Sequence, residues 1–219
     1  MASFRAEIEA AAYAYPIEHC RLVRVLSNPK CPPRLLHDFA VNMIRMADGF
    51  PALLARLFAI TPHQAMRAFL LENMIEEEGL EAAPDGIRAV PGRRHADIAR
   101  KFGLALGIGD AEAGSGSTPS YAWFLEAIAQ GDWCGAFAYL NIGMEANNAR
   151  LMGPLYEALR LRGLADDDLE FFAIHGPADI VHGNRSIDVA VLIAKTPEEQ
   201  QCVLDAVARG ARAFWEMNN

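Results

Sequence analysis

Leu35, Phe39, Met43, Met46 and Phe50 recur along this chain at three- and four-residue intervals, as do Phe69, Asn73, Glu77 and Leu80. That interval belongs to an α-helix with one buried face, because a 3.6-residue turn returns every third or fourth side chain to the same side. Asp188 to Ala194 (DVAVLIA) is the one β-like run, and a buried helix explains it equally well. Turn chemistry is strongest at Ser27-Asn28-Pro29, Cys31-Pro32-Pro33, Thr61-Pro62, Pro84-Asp85-Gly86, Pro91-Gly92 and the Gly/Ser stretch at 114–117. These breaks predict helices near 4–14, 17–27, 33–59, 63–79, 93–107, 119–130, 133–162, 167–184, 186–194 and 197–216. Thr196-Pro197-Glu198-Glu199 combines a capping hydroxyl, proline at the first helical position and early acids, which makes the last start the sharpest boundary. Long amphipathic helices on short connections imply an all-α bundle, and residues 1–219 are expected to form a single domain.

Composition narrows this picture. At 52% hydrophobic residues the chain can bury a sizeable core, yet no segment offers the roughly 20 continuous apolar residues of a membrane span. The net charge of −8 leaves no basic stripe for phosphates, so neither nucleic acid nor membrane is an expected partner. Acids near the N-terminus occupy the place of a secretory hydrophobic stretch, and the expected location is cytoplasmic. Cys20, Cys31, Cys134 and Cys202 lack metal-site spacing and are expected to be reduced.

Candidate chemistry lies in the titratable residues of apolar stretches. His175-Gly-Pro-Ala-Asp179-Ile-Val-His182 places three potential ligands at i, i+4 and i+7. Seven helical residues turn through about 700°, so the two histidines fall within roughly 20° of each other. Pro177 within this stretch predicts that the helix bends or begins there, which affects His175 first. Another helix ends on Glu76-Glu77-Glu78, where acids oppose the macrodipole unless a cation compensates. Glu77 shares the inward face of Phe69 and Asn73, with Glu76 and Glu78 as alternatives. His95 opens an amphipathic run, and Glu145 sits in an apolar helical stretch that requires a metal or a buried arginine to offset it. Together Glu77, His95, Glu145, His175, Asp179 and His182 supply nitrogen and oxygen ligands without thiolate, a set suited to iron or manganese, with zinc or manganese hydrolysis left open.

The segments ENMIEEEG, RRHADIARKFGLALGI, GMEANNARLMGPLYEALRLRGL and FFAIHGPADIVHG, in this order, resemble the haem-oxygenase-like diiron oxidases and oxygenases. That family is related in fold to the thiaminase-like and pyrroloquinoline-quinone-synthase proteins. The resemblance spans about 16–192 and implies a helical bundle with a seven-helix core, often a homodimer, holding two Fe(II) ions that activate O2 as cosubstrate. It also implies that Glu77, His95 and Glu145 hold one iron while His175, Asp179 and His182 complete the second, with Glu145 near both. The expected function is oxidation of a small amine-bearing metabolite or amino acid, by N-oxygenation or oxidative cleavage, with an external electron donor as a possible partner. Arg45 and Arg150 are candidates to clamp a substrate carboxylate. Met43, Met46, Met74, Met144 and Met152, with Phe39 and Phe69, either line an adaptable pocket or simply fill the core. Alternatives are oxidative decarboxylation of a fatty acid, a metal-free relative of the thiaminase or quinone-cofactor-synthase type, and a non-catalytic helical interaction protein.

Overall fold

The computed structural model describes residues 3–109 and 121–219. Ser3 accepts the amide hydrogen of Ala6 and starts α1 (Phe4–Ala12). A 3-10 turn at Ile17–His19 precedes α2 (Arg21–Leu26). Pro33 opens α3 (Pro33–Ile60), which runs through Pro51 and ends at Thr61. Next come α4 (Gln64–Glu77), a hairpin of β1 (Leu80–Ala83) and β2 (Gly86–Ala89), and α5 (His95–Ala105).

Beyond the undescribed stretch, α6 (Ala122–Ala129) is followed by α7 (Trp133–Phe137). The latter continues through a π-helical segment, Ala138–Met144, into α8 (Glu145–Arg160). A 3-10 turn at Asp166–Leu169 leads into α9 (Glu170–Ile193), and α10 (Pro197–Asn218) closes the chain. Thr196 and Glu199 form the reciprocal capping box that the sequence marks at the start of α10.

The helical expectation holds for the long described segments, with two differences. Residues 167–184 and 186–194 are not two helices: α9 is continuous from 170 to 193, so the strand-like run at 188–194 is helical up to Ile193. Ile187, Ala190 and Ile193 are buried while Asp188 and Leu192 are exposed, the three-residue spacing of one helix face. The hairpin at 80–89 is absent from the sequence reading because its strands are short and mostly exposed, leaving no alternation to detect. Only the Pro84-Asp85 turn, which joins the partners Ala83 and Gly86, marks it. The expected 114–117 loop and the 119–120 start of α6 lie outside the described residues.

One continuous core links the helices, with Phe102, Phe124, Phe137, Tyr139 and Phe172 buried in it. Phe39, Phe102 and Phe172 pack ring against ring between α3, α5 and α9. Burying each such ring contributes about 1.5–3 kcal/mol. On the other flank, α10 lies along the π-helical segment at a crossing of two glycines. A Cβ on Gly143 would come within 2.7 Å of Gly210 Cα, and one on Gly210 would strike the Tyr139 carbonyl oxygen. Gly210→Ala is therefore expected to destabilise the fold by about 1–3 kcal/mol in urea or thermal unfolding. A change smaller than about 0.5 kcal/mol would show that this contact can relax.

Candidate metal centre

Four helices deliver six buried titratable side chains to one interior region: Glu77 from α4, His95 from α5, Glu145 from α8, and His175, Asp179 and His182 from α9. At the end of α4 only Glu77 turns inward, one turn after the buried Asn73. Glu78 turns instead to Arg94 at 2.9 Å. Gly79, at φ 60°, stops the helix, and a side chain there would collide with the backbone of Arg93 and Arg94, which leads to His95. Glu145 is the first residue after the π-helical segment. Pro177 lies inside α9 without ending it, so His175 stays on the stripe of Asp179 and His182.

The six form two groups of three. Ligand atoms of Glu77, His95 and His175 lie within 4.8 Å of one another, as do those of Glu145, Asp179 and His182. Relative to the division expected from the resemblance, His175 joins Glu77 and His95, while Glu145, expected near both ions, groups with Asp179 and His182. The reason is axial: at 1.5 Å per residue, His175 and His182 are about 10 Å apart along the helix, too far for one ion. His175 reaches across to His95, with ring centroids 4.5 Å apart, while Glu145 faces His182.

Several buried atoms here have no hydrogen-bond partner: His95 Nδ1, His182 Nδ1 and Glu145 Oε2. His95 Nδ1 is 2.9 Å from Glu77 Oε2, and His182 Nδ1 is 3.3 Å from Glu145 Oε1, but neither contact has hydrogen-bond alignment. Orphaned nitrogen and oxygen atoms in a dry interior are costly unless a cation takes their lone pairs, and this donor set fits iron. His175 is already oriented for such a role. The Phe171 carbonyl, 2.7 Å from Nδ1, can only accept a hydrogen, so Nε2 carries the free lone pair.

Electrostatics agree with a cation-seeking site. Burial pushes the Glu145 carboxyl up to about 7, partly opposed by His182 and Asn73. For His182 burial acts downward, but the facing carboxylates of Asp179, Glu145 and Glu76 outweigh it and raise the ring to about 12. His95 is raised in the same way by Glu77 against the effect of burial. Asn73, which its spacing places on this inward face, proves to be a partner of the site, with its amide donating to Glu145 Oε1 at 2.9 Å. Asn148, which the sequence reading missed, donates to Asp179 Oδ2 at 2.7 Å. Its only sequence signal is its spacing, one turn beyond Glu145.

A cavity of about 540 Å³, counting its open mouth, reaches Glu77, Glu145, His175 and Asp179. Met46, Phe50, Leu140 and Phe214 form its apolar wall, and Tyr121 and Asn148 add polar groups. Of the candidate methionines, Met46 and Met144 line it, whereas Met43 and Met152 are buried in the core. Neither candidate arginine lines this cavity. Arg150 is bound to Glu18 at 2.7 Å and Asn147 at 3.1 Å, and it borders a separate cleft that touches Asp179 from another side. Arg45 is half-buried on α3.

Residues 37–215 match the profile of a family described as iron-containing redox enzymes, of the haem-oxygenase-like type. The chain belongs to this family. Among curated proteins it is similar to a 4-aminobenzoate synthase of Nitrosomonas europaea, 28% identical over 187 residues that cover 76% of this chain and 69% of the relative. Among solved structures it is similar to a TenA homologue of Pseudomonas syringae pv. tomato, with a TM-score of 0.67 and 15% identity over 97% of this chain and 86% of that one. That likeness establishes the haem-oxygenase-like helical fold. Among the described residues, no helix is long and apolar enough to cross a membrane.

Proposed function

We propose that this iron-containing redox enzyme holds two Fe(II) ions, one in each group of three ligands, and uses O2 to oxidise a small amine-bearing metabolite or amino acid in a biosynthetic pathway. The observation that carries this reading is the pair of adjacent buried ligand groups, with orphaned lone pairs, bordering an apolar cavity. When bound, a ferrous pair supplies electrons and open coordination positions for reducing dioxygen beside the substrate.

The chain's own residues do the rest. Asn73 and Asn148 each occupy one oxygen of a carboxylate, leaving the other free to face an ion. The wall of Met46, Phe50, Leu140 and Phe214 excludes water and gives an apolar substrate body a place to pack. Tyr121 lines the cavity with its phenol held protonated, its pKa raised by burial and by Glu77, so it offers a hydrogen to a substrate heteroatom. The amine preference is supported by the name of the Nitrosomonas relative, a 4-aminobenzoate synthase. Turnover calls for an external electron donor when the substrate does not supply all the electrons.

The test is anaerobic ferrous titration, followed by oxygen exposure with amines, amino acids and fatty acids compared as substrates. About two irons per chain and oxygen consumption stimulated by an amine are expected. A folded protein that takes up no iron would remove the proposal, and stimulation by fatty acids alone would redirect its substrate.

A further inference from the structure

We propose that Glu76 is a positioning residue for the group of Glu145, Asp179 and His182: its carboxylate accepts the Nε2 hydrogen of His182 and so turns Nδ1 of that ring toward the metal. The inference rests on reading the six buried residues as a metal centre, and it adds a seventh side chain that binds no ion.

Glu76 Oε2 lies 3.0 Å from His182 Nε2. A carboxylate at this distance takes a hydrogen, so when the ring sheds a proton to bind an ion, Nδ1 is the nitrogen that gives it up. Nδ1 is the nitrogen that faces inward, 3.3 Å from Glu145 Oε1 and 3.8 Å from Asp179 Oδ1, without a hydrogen-bond partner. Phe69 sets an aromatic edge against the imidazole at 6.3 Å between centroids and limits its rotation. The Glu76 side chain is 45% exposed, whereas Glu77 next to it is buried. The helix end α4 thus serves both groups, with Glu77 facing one directly and Glu76 reaching the other through a ring. His175 shows the complementary arrangement: the Phe171 carbonyl takes its Nδ1 hydrogen, so the two histidines of α9 present opposite nitrogens. A carboxylate behind a metal-binding imidazole fixes its tautomer and direction, and losing such a partner weakens metal affinity by about 10–100-fold.

The experiment uses the full chain loaded with zinc, a diamagnetic stand-in, and reads the His182 ring by long-range proton–nitrogen NMR alongside zinc affinity. In the natural protein, Nδ1 should carry the metal and Nε2 a slowly exchanging hydrogen. Glu76→Ala should lose that hydrogen's protection and bind one of the two zinc ions about 10–100-fold more weakly. Glu76→Gln, which keeps an acceptor oxygen, should recover most of the affinity. Glu72→Ala, which removes an acid of the same helix paired with Arg185, should change neither readout. Metal on Nε2, or unchanged affinity in Glu76→Ala, overturns the role of Glu76 while leaving the metal centre standing. Absence of zinc uptake by the natural protein overturns both. Should Glu76→Ala fold poorly, the Glu76→Gln spectrum decides, because its Nε2 hydrogen must persist at a shifted position.

Discussion

Replacing His182 with alanine is expected to lower iron content from about two ions per chain to about one, and to reduce oxygen-dependent turnover at least a thousandfold. His182 is the only imidazole in its group, and without it Glu145 and Asp179 retain a donor set too small to hold a ferrous ion against water. The loss should be selective, because Glu77, His95 and His175 form a group of their own, with His175 about two turns before His182 on α9. Far-ultraviolet circular dichroism should remain that of the natural protein, since α9 continues for more than two turns past this position. A thousandfold loss corresponds to about 4 kcal/mol of transition-state stabilisation, well above what a displaced neighbour would produce. Metal analysis that still finds two irons in the folded variant would remove His182 from the ligand set.

Metal affinity at this group should also climb with pH, by about a thousandfold between pH 6 and pH 8. His182, raised to about 12, stays protonated throughout that range in the metal-free protein and gives up one proton on binding. Glu145, raised to about 7, gives up a second one below that pH. Two displaced protons make about a hundredfold per pH unit up to 7, and one makes about tenfold per unit above it.

The same shifts act on the fold before metal arrives. The folded state holds the Glu145 proton more tightly than the unfolded chain does, so this contribution is complete below about 4.5 and is lost as pH rises through about 7. The His182 contribution is complete below about 6.5 and fades as pH rises toward about 12. Both losses run in the alkaline direction, so the rise in melting temperature on adding metal should be larger at pH 8 than at pH 6. Titrations and melts at pH 6, 7 and 8 check this. Equal affinities at all three would mean that neither group is deprotonated on binding.

Helix positions were legible because the 3.6-residue pattern and the proline-marked breaks report on backbone winding alone. The boundary at Thr196 is the clearest case, since its capping box is made of residues adjacent in sequence. Glu145 could be picked out by being costly to bury, His175, Asp179 and His182 by their spacing, Glu77 by its helix face and His95 by opening an amphipathic run, and the structure brings them into two groups. That His175 and His182 cannot share one ion follows from the helix rise alone, but which residues each meets depends on how α9 lies against α5 and α8, a tertiary quantity. Pro177 shows the same limit from the other side: local chemistry allows the helix to bend or to begin there, and α9 begins earlier, at Glu170, and runs through it. Glu76 differs from Glu78 only in which neighbour each meets, His182 or Arg94, and no local pattern separates them.

The wide winding of Ala138–Met144 sets the compass bearing of everything after it. A π-helical stretch carries one residue more than an α-helix of equal rise, so its insertion turned the downstream helix by about 100° relative to the upstream one. Tyr139 and Gly143 are fixed against α10 on one side, and Glu145 must aim at α9 on the other. Gly143 and Glu145 stand two residues apart, about 200° of helical turn, and so face nearly opposite ways. Deleting a single residue between them would leave the bundle's composition almost untouched and point the carboxylate of Glu145 at the wrong wall.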